Sequence, residues 1–214
     1  MWALCNQVMD LILKIEVDKF RLWASEYPED HRSGEWECDY EDWPSLNSAF
    51  LNFIENKVPS ELTDAEITDL IYVIARDNEM EELVEDVALK EGLFKLLIPH
   101  VIKSIENEAK WQFAVAIGEG TLSHAIAEEA LLSLVNDGDE YTSRRALQSL
   151  GRIGAEQTER LCIKAWDTNH EYQRIMALSV LKEIESKELS RYLDLALIDG
   201  RKYVVKNANE IKNA

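Results

Sequence analysis

The stretch DEYTSRRALQSLGRI (residues 139–153) returns as HEYQRIMALSVLKEI (residues 170–184), 31 residues later. Tyr141, Ala146, Leu147, Leu150 and Ile153 of the first copy align with Tyr172, Ala177, Leu178, Leu181 and Ile184 of the second. A third copy begins after 31 more residues at Arg201-Lys202-Tyr203, with Ala208, and Asn107-Glu108 with Ala114 echoes the first copy at a shift of 32. A fixed period in this range marks stacked supersecondary units, none of which buries its apolar face alone. Inside each copy the apolar residues return every three or four positions, the period of an amphipathic helix. The expected fold is all-α, an α-α superhelix of about 10–12 helices in antiparallel pairs.

The spacing predicts first helices at Glu108–Gly118, Glu140–Arg152, Glu171–Glu183 and Lys202–Lys212, and second helices at Leu122–Val135, Glu156–Asp167 and Lys187–Ile198. Leu131, Cys162 and Leu193 share one register position, and Leu134, Ala165 and Ala196 another, so both rows are expected inside. Asn207, Asn209 and Asn213 replace apolar residues in the last copy, as a terminal unit with a wet outer side requires. The offset from each tyrosine to Leu150 or Leu181 places Tyr141, Tyr172 and Tyr203 opposite the core. They either seal the joint between repeats or form an exposed ligand-binding ladder.

Residues 1–106 read as an acidic helical region with degenerate repeats, and residues 107–214 as regular repeats of one continuous solenoid. In the first region, Cys5, Val8, Met9, Ile12, Ile15, Phe20 and Trp23 suggest a long helix that ends before Pro28. Residues 27–42 show no period and are expected to form a loop. A helix restarts at Asp42-Trp43-Pro44, with the aspartate as N-cap. Thr63-Asp64-Ala65-Glu66 is a capping box that opens the next helix, and Pro99 predicts a kink in the apolar run 93–105.

The pattern Glu-Tyr-x(4)-Ala-Leu-x-x-Leu-(Gly/Lys)-x-Ile, each copy followed by a shorter helix, resembles HEAT and HEAT-like repeats. It is most similar to the short form of bacterial phycobilisome-lyase-type HEAT proteins. The resemblance covers residues 107–214 well, 63–105 loosely and 1–58 not at all. It implies a solenoid that presents a curved face to a protein partner, since function belongs to the site and not to the fold. Some bacterial relatives look like immunity proteins, and a few HEAT-like families are lyase- or DNA-glycosylase-like enzymes.

The formal charge is −18. Residues 1–107 hold 24 acids against 9 bases, a net −15, while residues 108–214 hold 17 against 14, a net −3. That distribution repels phosphate and favours cationic surfaces, so the expected partner is a basic protein and not nucleic acid. Cys5, Cys38 and Cys162 are unclustered, which points to reduced thiols and a cytoplasmic setting. Asp10 and Lys14 interrupt the first apolar run, so no signal peptide is expected. No stretch reaches the roughly 20 apolar residues of a membrane span. A monomer, or a weak homodimer through the first helix, is expected.

The segment Glu35-Trp36-Glu37-Cys38-Asp39-Tyr40-Glu41-Asp42-Trp43 is the sharpest candidate site. Its Trp and Tyr rings offer anchor area and its carboxylates steer a cationic partner. Tyr141 and Tyr172 extend the candidate partner-binding set. His31, His100, His124 and His170 are scattered without metal-ligand spacing, and no nucleophile–base or phosphate-binding motif occurs. No catalytic residue, metal or cofactor is therefore expected. The chain reads as a non-catalytic interaction scaffold whose acidic half binds a basic partner, such as a toxin neutralised by an immunity protein. The alternative is a HEAT-like enzyme or small-ligand binder.

Overall fold

The computed structural model describes the backbone of residues 2–213 apart from 33, 78 and 121, and their side chains apart from 2–8 and 29. Among the described residues there are twelve α-helices, short 3-10 turns and no strand, with packing between neighbouring helices. The chain forms two compact units, residues 1–113 and 114–214.

The first unit comprises α1 (Trp2–Glu26), α2 (Trp43–Asn56), α3 (Asp64–Arg76), α4 (Glu82–Ala88), α5 (Glu91–Lys103) and the beginning of α6 (Asn107–Gly118). Helix α1 lies against α2 and α3. Its buried stripe is Leu13, Val17, Phe20 and Ala24, facing Leu46, Phe50 and Phe53 of α2 and Leu70 and Ile74 of α3 in one core. Ile12 and Ile15, expected inward, are 45% and 43% exposed. Each lies well off the 13–17–20–24 line at about 100° of turn per residue. The expected inward placement of Cys5 and Val8 lies outside the described side chains.

Local chemistry opens and joins these helices. At α3 both bonds of the capping box are made: Glu66 N–H donates to Thr63 Oγ1 at 3.3 Å and Thr63 N–H donates to Glu66 Oε2 at 2.7 Å. Asp42 precedes α2 but caps nothing with its side chain, because its backbone (φ −89°, ψ 12°) is not in the extended region an N-cap uses. Lys57 ties α1 to α3 through Asp10 at 3.0 Å and Glu66 at 2.6 Å. Pro99 sits inside α5 without ending it.

The second unit holds the end of α6 and then α7 (His124–Leu134), α8 (Glu140–Arg152), α9 (Thr158–Asp167), α10 (Glu171–Glu183), α11 (Leu189–Leu197) and α12 (Lys202–Asn213). Helices α8, α10 and α12 start 31 residues apart, as do α9 and α11. The second helices begin two residues later than their apolar pattern suggests, because a recurring turn precedes them. Gly154 (φ 67°) and Glu185 (φ 52°) are both left-handed, and the next residues donate back: Ala155 N–H to Leu150 O at 3.0 Å, Ser186 N–H to Leu181 O at 2.9 Å. This is a Schellman-type helix end, made once with glycine and once against the roughly 1 kcal/mol a non-glycine residue loses there.

Helices α8, α10 and α12 lie side by side. Ala146, Ala177 and Ala208, one per copy, are fully buried along this row. A Cβ added at Gly118 would stand 2.6 Å from Ser149 Cβ and 3.1 Å from Ser149 Cα, so the helices meet nearly backbone to backbone. The expected inner rows are also in place, with Leu131, Cys162, Leu193, Leu134, Ala165 and Ala196 all buried.

At the end of the array Asp199 accepts hydrogen bonds from Arg174 and Arg201, the latter through Nε at 2.5 Å and Nη2 at 2.6 Å. Arg201 also reaches Asn169 O at 2.6 Å. Hydrogen bonding from Arg201, reinforced by Arg174, holds the Asp199 carboxyl at about 2, below the ordinary aspartate value.

Two outcomes follow from this packing. Gly118→Ala lowers stability by about 1–3 kcal/mol in a denaturant titration, because the added methyl meets the Ser149 side chain at its Cβ, with the backbone close behind. Asp199→Asn costs about 1–2 kcal/mol at pH 7, after allowing for solvent screening around the arginines. Since the folded pKa is the depressed one, that contribution is complete above about pH 4 and disappears as pH falls through about 2. The difference between Asp199→Asn and the parent should therefore shrink over that window in acid titrations.

Candidate functional site

The end of α1 carries Phe20 and Trp23, and Tyr27 follows it directly. Two 3-10 turns at Glu29–His31 and Trp36–Asp39 then bring the chain back across these rings. Trp36 stacks on Trp23 at 5.4 Å with planes 10° apart and meets Tyr27 at 4.9 Å. Tyr40 is buried edge-on to Phe20 at 4.8 Å, and Trp43 lies 5.2 Å from the same ring. Trp43 Nε1 donates to Glu37 O at 2.6 Å. Arg32 donates to the carbonyls of Ala24 and Tyr27 and covers the Trp36 ring at 5.0 Å. Such contacts give a stretch without any period a fixed shape, since offset and edge-on ring pairs contribute about 0.5–1.5 kcal/mol each beyond area burial.

The candidate residues therefore divide. Tyr40 is buried, and Trp36 and Trp43 are half-buried against these rings, so all three help hold the segment in place. Glu35, Asp39, Glu41 and Asp42 are exposed on its outer side, and Asp39 accepts from Tyr27 Oη at 2.6 Å. Glu37 is buried, 4.0 Å from Arg76, and burial raises its pKa even against that guanidinium. Arg76 pairs with Glu106 at 2.8 Å and lies over Tyr72 at 4.9 Å. Arg21 also lies over this ring, 4.7 Å from the centroid, while bound to Asp69 at 2.6 Å. Beside Tyr72 a groove of about 400 Å³ runs between α3 and α5, floored by Ile67 and Ile71 and edged by His100 and Lys103.

In the second unit Tyr141, Tyr172 and Tyr203 are 38%, 48% and 53% exposed, so the ladder lies on the open face of the first-helix row. Arg144 lies between the first two rings, 4.7 Å from Tyr141 and 5.1 Å from Tyr172, with its Nε 3.1 Å from Glu140 Oε1. Arg144 thus combines an ion pair with a place between successive tyrosines. The 31-residue register aligns Arg144 with Ile175 and already held the clue.

Among the described residues no group of three or more His, Cys, Asp or Glu side chains can hold a metal ion, and no helix is long and apolar enough to cross a membrane. Comparison with protein-family models, curated proteins and solved structures finds no match to this chain.

Cys38 is exposed, yet its thiol donates to Glu79 Oε2, and that bond is the main reason its pKa is pushed up to about 12. Alkylation by iodoacetamide at pH 8 should be at least about tenfold slower at Cys38 than in the denatured chain, since only the thiolate reacts. Glu79→Ala restores a rate near the denatured one, read by mass spectrometry of the peptide.

Proposed function

We propose that the protein is a non-catalytic, HEAT-like interaction scaffold whose acidic first unit binds a basic protein. The observation that carries this reading is the segment 35–43, where packed aromatic rings hold Glu35, Glu41 and Asp42 outward in a fixed array. Fixed carboxylates lose little conformational entropy on binding. A field of one sign also steers an oppositely charged partner. Residues 1–107, at −15, supply that field.

The most concrete form is an immunity protein that neutralises a basic toxin, with the carboxylates standing where the toxin would otherwise hold phosphate. A second reading, a small-ligand binder or enzyme of the lyase or glycosylase kind, has the groove between α3 and α5 in its favour. A pocket of this kind with an apolar floor and a few polar edges is the usual form of a ligand site.

The immobilised chain, used to capture proteins from the organism's own lysate, should retain a basic partner at 50 mM salt and release most of it at 500 mM. The triple variant Glu35→Lys/Glu41→Lys/Asp42→Lys should retain at least about tenfold less. A partner that is neutral, or held equally at both salt concentrations, rules the acidic face out.

A further inference from the structure

We propose that the slot between Tyr172 and Tyr203 receives an arginine side chain from a partner protein. The chain itself shows what such a slot accepts. Between Tyr141 and Tyr172 the space is filled by Arg144, whose guanidinium lies over both rings and is held by Glu140. One repeat later the position of Arg144 is taken by Ile175, too short and apolar to fill the equivalent interval. A slot of about 310 Å³ remains there, lined by Tyr172, Ile175, Tyr203, Lys206, Asn207 and Glu210.

The polar groups for a guest are also repeated. Glu171 precedes Tyr172 as Glu140 precedes Tyr141; it stands beside the slot and not in its lining, and among the described residues it acts on Arg201 only by charge, without an ion pair or side-chain hydrogen bond. Asn207 carries a buried amide oxygen without a hydrogen-bond partner. A guanidinium has five N–H donors and a flat face, so it matches a carboxylate, an amide oxygen and two rings at once. An ammonium lacks the flat face. Lys206 lies 3.7 Å from Glu210, and Arg201 is engaged with Asp199 and Asn169, so neither makes a direct ion pair with Glu171; Lys202 lies over the Tyr203 ring at 5.6 Å, so a guest must use the face of that ring toward Tyr172.

This site lies wholly in the second unit and goes beyond the acidic face, so the two stand or fall separately. The test titrates the full chain with acetyl-Gly-Arg-Gly-amide and with its lysine counterpart, followed by NMR shifts of backbone amides. The arginine peptide should move the amides of residues 171–175 and 203–210 and bind at least about threefold more tightly than the lysine peptide. Glu171→Gln and Tyr203→Ala should each weaken it by about threefold or more. Ile175→Arg should fill the slot from within and suppress binding while keeping the helical circular dichroism. Glu35→Lys/Glu41→Lys/Asp42→Lys should leave the peptide's affinity within about twofold, whatever it does to capture of a basic protein. Equal affinity for the two peptides, shifts centred elsewhere, or full binding by a folded Ile175→Arg protein overturns the proposal. Should Ile175→Arg not fold, the Glu171→Gln and Tyr203→Ala titrations decide, and unchanged affinity in both overturns it.

Discussion

Where α8, α10 and α12 run side by side, Ala146, Ala177 and Ala208 are fully buried at one register position, and Gly118 of α6 comes close to Ser149 of α8. Dispersion between close-packed backbones falls off steeply with distance, so a gap of even 0.5–1 Å forfeits a quarter to a half of each contact. Small side chains are therefore a condition of the array and not filler within it. The same closeness fixes rotation. Since each first helix buries its alanine at the same register position, each must also present its tyrosine on the same outer face. The exposed ladder is a geometric consequence of the buried alanines.

The first unit solves a different problem. Residues 26–42 hold eight acids and one arginine, a composition that ordinarily stays solvated and unfolded. Here Trp36, Tyr40 and Trp43 attach to Phe20, Trp23 and Tyr27, and Arg32 fastens the return to the last carbonyls of α1. Apolar rings on one side and carboxylates on the other give a short segment of 3-10 turns and loop two faces. The cost shows at Glu37, where the carboxyl is buried with one oxygen lacking a hydrogen-bond partner. A charged group in that position is disfavoured, which is the sense of its raised pKa.

The period of 31 residues gave α8, α10 and the start of α12 to the residue, along with the buried rows at 131/162/193 and 134/165/196. Such accuracy is physical: helix rotation repeats only when the turn between helices repeats, and the Gly154/Glu185 turns do. The turns were not legible in advance, since Gly154 announces a left-handed residue and Glu185 does not. Residues 27–42 were read as a loop because periodicity was absent. What orders them is a set of ring contacts between residues up to 20 positions apart, such as Phe20 and Tyr40, which no local window contains. On α1 the run of apolar residues was broad enough to support more than one stripe, and only the partners on α2 and α3 select the one at 13, 17, 20 and 24.

Within the array, positions that agree between copies carry the architecture, and positions that differ carry what is individual to each copy. Asp137, Thr168 and Asp199 occupy one register position, and each side chain accepts from the backbone N–H two residues on. Asp199 adds an arginine pair to that turn. Ser143 and Arg174 likewise share a position, and both donate to the carbonyl eight residues back, at 2.8 Å and 3.1 Å. The extra reach of Arg174 lets it touch Asp199 as well. Substitution at Arg144/Ile175 is of the opposite kind, since it removes a group from a shared interval. A difference that adds contacts, as at Asp199, ties α10 to the turn before α12. One that empties the interval between α10 and α12 leaves a slot between Tyr172 and Tyr203, whose rings otherwise meet His170 and Lys202, and nothing in the packing of α10 on α12 requires that.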